Sequence, residues 1–206
     1  GIAALSLGLA AGAGSQALQR RADGRAYAGP SPILVFAAAF GLTLVAGFAI
    51  GALDVVGQGP GAVLASVLVS AGVSLGLVGL LVVSPGGLSW REMGFRLPVA
   101  GEGSALGDVA WGFALAIPTL FVAGLLAAVL VGLLGVMPES PIPPATDPLG
   151  IVVTIIAAVV IAPLWEEAFF RGFVTTAWAR TAGERAAIVR GAAFFALIHV
   201  VALGGT

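Results

Sequence analysis

Two adjacent carboxylates and an arginine interrupt a segment otherwise built for lipid: Ala162-Pro163-Leu164-Trp165-Glu166-Glu167-Ala168-Phe169-Phe170-Arg171-Gly172-Phe173. Apolar residues run from Leu149 to Leu164 before it and resume at Phe173. A charged side chain near the bilayer centre costs at least about 2.5–3.5 kcal/mol on insertion scales. Three together therefore call for a protein interior or a wet cavity, and for partial neutralisation of one another. If Pro163 opens or kinks a helix, Glu167 and Arg171 stand at i and i+4 on one face, in the favourable order for an ion pair. Glu166 lies about 100° round the helix from Glu167 and does not share that partner equally. One carboxylate is then tied, and the other is free to act as a general base. A clamp between helices is the plainer account of Glu167 and Arg171, but it leaves Glu166 unexplained.

The second group is Phe194-Phe195-Ala196-Leu197-Ile198-His199, which carries the sole histidine of the chain. Phe195 and His199 are at i and i+4, so an aromatic ring flanks the imidazole. A lone histidine on an apolar span is ordinarily hydrogen-bonded to a neighbouring helix. This one follows Glu166 by 33 residues, and the loop Ala179–Arg190 is long enough for a tight turn, so the two spans can run antiparallel and bring Glu166 and His199 to similar depth.

The elements that must position these residues follow from composition. The chain is 59% hydrophobic and 9% charged, against roughly 25% charged in a soluble domain. This predicts an all-α fold, a polytopic transmembrane helix bundle. A net charge of −1 gives no electrostatic case for nucleic acid, and the absence of Cys removes disulfides, thiolate metal sites and a cysteine nucleophile. A crossing helix needs about 20 apolar residues; Ile33–Ala52, Ala62–Val83, Val109–Val136 and Leu149–Trp178 supply them. A partial span covers Gly1–Gly14 and another begins near Gly191. The division is into N-terminal spans, 1–84, and a membrane core, 85–206.

Eight of the nine Arg fall in three alternate loops, Ser15–Pro30, Ser84–Asp108 and Ala179–Arg190. The positive-inside rule makes these cytoplasmic. The intervening loops, Leu53–Gly61 and Pro138–Pro148, hold no basic residue, and the five prolines of the second predict a stiff extended connector. Gly8/Gly12, Gly47/Gly51 and Gly72/Gly76 have the spacing for close helix packing. Trp90 and Phe95, in the longest cytoplasmic loop, are candidate interfacial anchors.

Glu166-Glu167-x-x-x-Arg171 followed by Phe195-x-x-x-His199 resembles the first two motifs of the CAAX-protease and bacteriocin-processing family of intramembrane proteases. The stretch Trp90-Arg-Glu-Met-Gly-Phe-Arg-Leu-Pro98 is similar to one these proteins often carry upstream. The resemblance spans about residues 85–206 and implies an intramembrane endopeptidase in a bacterial plasma membrane, acting on a peptide or protein substrate. By that resemblance Glu166 and His199 are catalytic and activate a water. Glu167 and Arg171 hold the helix in register, and Phe195 limits the imidazole rotamers. Lipidated substrates are a eukaryotic association of the family, and no residue here points to one. The family's third motif, a His with an Asn or Asp, is absent up to Thr206; with Gly rather than Met at residue 1, an apolar start and a stop seven residues past its sole His, the chain reads as a fragment lacking material at both ends. Zinc is possible in principle, yet one His and two Glu offer too few uncommitted ligands, and the expectation is no cofactor. Two other classes stay open: a non-catalytic scaffold, such as a bacteriocin-immunity or secretion accessory, and a proton or cation transporter using Glu166, Glu167 and His199 as a relay.

Overall fold

The computed structural model of the chain describes residues 1–53, 59–95, 105–135 and 145–203. Every regular element among them is helical. In chain order they are α1 (Ile2–Ala22), α2 (Pro32–Ala52), α3 (Pro60–Val83), α4 (Ala105–Leu134), α5 (Pro148–Ala182) and α6 (Glu184–Leu203). Three of the starts follow one local rule. Pro32, Pro60 and Pro148 each open a helix, where the missing N–H is no loss and φ is already helical. Asp147 caps α5 by accepting the backbone N–H of Gly150 at 2.8 Å.

Four helices are long and apolar enough to cross a membrane: α2, α3, the Val109–Leu134 part of α4, and α5. They coincide with the four expected spans to within about a turn. The protein is an integral membrane protein.

Two connections differ from the expected loops. Helix α1 runs on to Ala22, so Arg20 and Arg21 form its last turn rather than part of a loop. Between α5 and α6 only Gly183 intervenes, where a loop over Ala179–Arg190 was expected. In both places arginine suggested a loop, whereas a helix C-terminus favours cations because its carbonyls point outward unpaired. Gly183, with φ of 82° and ψ of 160°, takes an extended positive-φ conformation open chiefly to glycine, and this ends α5. Much of the other three predicted loops lies outside the described residues, including the proline-rich connector and Arg96–Pro98.

The chain divides into two compact units, Gly1–Phe95 with Ile142–Thr206, and Arg96–Pro141. The second contains α4, whose interior Pro118 is followed by Thr119, the hydroxyl of which donates to the Leu115 carbonyl at 2.7 Å.

In the first unit α1 lays Ser6, Ala13 and Ala17 against Val35, Ala38, Ala39 and Gly41 of α2. A side chain at Gly41 would collide with the Ser6 hydroxyl, so this glycine is what lets the helices approach. The glycine pairs singled out by spacing do not do this. A Cβ at Gly8, Gly12, Gly47, Gly51, Gly72 or Gly76 would meet nothing within 4 Å. Spacing alone does not say which face of a helix meets a neighbour.

The core continues through Leu77, Val78, Leu81 and Val82 of α3 to Phe169, Phe170, Phe173 and Val174 of α5. Phe36 of α2 packs edge-on against Phe169 and Phe194, with centroids 6.2 and 5.2 Å apart. Outward, α2, α3 and α5 expose Phe48, Leu68, Leu149 and Val159, a surface suited to acyl chains.

The arginine-bearing connections meet one another. Arg21 donates to the Pro85 carbonyl at 2.8 Å, and Arg180 pairs with Glu92 at 2.5 Å. Tyr27 is buried among them, its hydroxyl donating to the Pro30 carbonyl at 2.8 Å and its ring under Arg20. Burial holds the Tyr27 phenol above its ordinary value, against the opposing pull of Arg20 and Arg180.

Candidate active site

Helix α5 carries the charged cluster, and its backbone is not α-helical throughout. Wider π-helical turns occupy Ile156–Ile161 and Glu167–Thr175, on either side of an α-helical Ala162–Glu166. Pro163 sits just after the first, where its missing N–H and ring disturb the preceding turn. Within the second, the Thr175 hydroxyl donates to the Phe170 carbonyl five residues back, at 2.9 Å. Such turns are uncommon and concentrate at functional sites. Here one buries Phe169, Phe170 and Phe173 while leaving Glu167 and Arg171 outside.

The predicted ion pair forms: Arg171 Nη1 donates to Glu167 Oε1 at 3.0 Å across i,i+4. Among the described residues it is not enclosed by protein, however. The side chains are 79% and 59% exposed, and both line clefts in the surface. The larger cleft, about 590 Å³, lies between α5 and α6. Glu166, Glu167, Arg171 and Thr175 supply its polar lining, and Pro163, Phe170, Ile188, Ala192 and Phe195 its apolar walls. Its size is within the usual range of ligand-binding cavities.

Glu166 is half-buried at this cleft and, among the described residues, accepts no hydrogen bond and joins no ion pair. His199 stands on α6 one turn beyond Phe195, within electrostatic range of Glu166. The imidazole Nδ1 lies 2.9 Å from the Phe195 carbonyl oxygen, and the rings of Phe195 and His199 are 4.1 Å apart. A carbonyl only accepts, so Nδ1 carries the proton and donates. In the neutral ring Nε2 is then a bare acceptor. That tautomer can hold a water by one of its hydrogens; it cannot donate to a carbonyl oxygen. Four of the five predicted residues thus line the cleft between α5 and α6, with Glu167 tied to Arg171, and His199 stands one turn beyond Phe195 on α6.

Zinc does not fit. Among the described residues no three His, Cys, Asp or Glu side chains converge. Glu166 and His199 fall short of the three protein ligands that a catalytic zinc requires, and Glu167 is turned to Arg171.

Four further residues shape the site. A Cβ at Gly191 would lie 2.8 Å from the Thr175 hydroxyl, so glycine there allows α6 to close on α5. Gly172, beside Arg171, does the same for Met93: a Cβ would lie 2.9 Å from the Met93 carbonyl oxygen. Glu92 and Arg180 tether the Met93 segment to α5. The sequence carried one signal of this, the Ser89-x-x-Glu92 spacing of a capping box. Trp90 and Phe95 remain partly exposed and pack edge-on at 5.4 Å.

Residues 148–205 match the family model of type II CAAX prenyl endopeptidases, Rce1-like. No curated protein and no solved structure matches the chain. The matched segment holds Glu166, Glu167, Arg171, Phe195 and His199 together. Over that segment the chain is similar to the type II CAAX prenyl endopeptidases.

Proposed function

We propose that the protein is an intramembrane endopeptidase in which Glu166 is the general base and His199 orients the attacking water. One observation carries this reading. Of the two adjacent carboxylates, Glu167 is neutralised by Arg171 while Glu166, among the described residues, stands unpartnered at a cleft, near an imidazole whose free nitrogen is an acceptor. A water between them gives one hydrogen to Nε2 of His199 and the other to Glu166. As Glu166 takes its proton, the water oxygen bonds to the carbonyl carbon of the scissile peptide. Return of that proton to the departing amide nitrogen releases the amine and restores the carboxylate. Phe170, Ile188 and Phe195 offer apolar walls to a peptide segment, so an apolar stretch of substrate suits the cleft.

The lipid bilayer is the other partner in this reading. The joined arginine-bearing end of the first unit faces the cytoplasm, on the asymmetry of the nine Arg. The functional core runs from residue 85 onward.

The test is a double-mutant cycle in the membrane-embedded protein. Glu166→Ala and His199→Ala each bring cleavage to background, and the double variant is no worse than either, because residues acting as a unit are strongly non-additive. Multiplying losses would show two independent groups. Full cleavage by Glu166→Ala would end the protease reading and favour the scaffold.

A further inference from the structure

The segment after α3 is folded by its own side chains and then fastened to α5. Ser89 donates from its backbone N–H and its hydroxyl to Glu92 Oε2, at 2.7 and 2.8 Å. The other Glu92 oxygen, Oε1, accepts from Arg180 Nη2 at 2.5 Å. A single carboxylate therefore closes the local turn and ties it to a helix 88 positions away in sequence. The next residue, Met93, is buried, with its carbonyl oxygen pressed over Gly172.

A second cleft of about 470 Å³ lies where this segment crosses α5. Met93, Gly94 and Phe95 line it from the segment, and Leu164, Glu167 and Arg171 from the helix. Glu167 and Arg171 line the larger cleft as well, so their ion pair is a partition with a cavity on each side. Among the described residues neither side of that partition is packed by protein, and the backbone beneath it is held from above at Gly172.

We propose that Ser89–Phe95 is a strap that fixes the Glu167–Arg171 partition, and with it the width of the substrate cleft, Glu92 being the positioning residue that latches the strap to Arg180. This rests on the protease reading of Glu166 and His199, which the strap does not touch. The latch is half-exposed, and such ion pairs contribute little to overall stability. Its loss therefore loosens the strap without unfolding the bundle, and the effect falls on binding in the cleft rather than on the chemical step.

The experiment has two readouts in the intact membrane-embedded chain. The first uses an internally quenched apolar peptide. Glu92→Gln raises KM about fivefold or more with kcat within about twofold, the pattern of lost binding common to ground and transition states. The exchange Glu92→Arg with Arg180→Glu restores KM in part, because it re-forms the ion pair but not the two Ser89 hydrogen bonds. The second needs no substrate: a single Phe95→Cys in this cysteine-free chain reacts with a maleimide faster once Glu92→Gln is added, and slows again on charge exchange. Ser89→Ala, which keeps the ion pair and removes one donor, gives the same changes at smaller size and serves should Glu92→Gln fail to fold. Unchanged KM and unchanged thiol reactivity, with Glu166→Ala inactive, overturn the strap and leave the protease intact. A lowered melting temperature with normal KM also overturns it. Activity persisting in Glu166→Ala overturns the reading on which it rests.

Discussion

Gly172 lies so close beneath Met93 that a Cβ on it would stand 2.9 Å from the Met93 carbonyl oxygen, and that oxygen belongs to backbone. Gly172→Ala must therefore shift the segment above it. Overpacking of this kind costs about 1–3 kcal/mol. The melting temperature in detergent should fall accordingly, with Gly172→Ser lower still. A melt unchanged by both would mean that Met93 yields freely.

The exposure of the Glu167–Arg171 pair changes what its removal should do. Breaking an enclosed pair costs about 3–5 kcal/mol; one open to wet clefts contributes roughly 0–1 kcal/mol. Glu167→Gln should then be produced in nearly normal yield, with a melting temperature close to that of the parent. A collapse in yield would put the pair in contact with lipid or protein rather than water.

Orientation can be read by thiol labelling against a background free of cysteine. Gln19 near the end of α1, Arg91 after α3 and Thr181 at the end of α5 are exposed at the joined arginine-bearing end, and Thr146 is exposed before α5. Single cysteines at the first three should resist a membrane-impermeant reagent in intact cells, while Thr146→Cys labels. The reverse pattern would invert the protein in the membrane.

Glu92 sets a pH window. The backbone N–H of Ser89, then its hydroxyl, then Arg180 lower its pKa from an ordinary 4.5 to about 2. A folded-state value below the unfolded one means stabilisation that is full above about pH 4.5 and lost as pH falls through about 2. The Glu92 carboxyl carbon should titrate near pH 2 by NMR, and closer to 4.5 in Arg180→Gln with Ser89→Ala. Titration near 4.5 in the parent chain would mean the latch is open.

The parts of this architecture legible in the sequence are those that rest on local spacing. Runs of apolar residues long enough for a bilayer located α2, α3, α4 and α5, and i,i+4 geometry gave the Glu167–Arg171 and Phe195–His199 neighbours. Features that depend on which faces meet were not legible. The contact of Met93 with Gly172 joins distant segments, as does Glu92 with Arg180, and no periodicity marks either. Gly41 matters because Ser6 stands opposite it, which a count of small residues does not reveal. The π-helical turns shift hydrogen bonds by one residue without any change in composition. Arginines at the ends of α1 and α5 suggested loops because charge was weighed and the helix dipole was not.

The single-residue break at Gly183 works as a depth ruler. Glu166 stands 17 residues before it and His199 stands 16 after it. At about 1.5 Å of rise per residue, less through the wider turns of α5, both lie roughly 20–25 Å along their helices from the turn. Arg190, seven residues past the break, marks the last basic position on α6. From there to His199 is about 13 Å, close to half the ~30 Å hydrocarbon thickness. A peptide bond cut by this pair would have to reach the middle of the bilayer. One residue inserted between Gly183 and His199 would lower the imidazole past its carboxylate and turn it by about 100°.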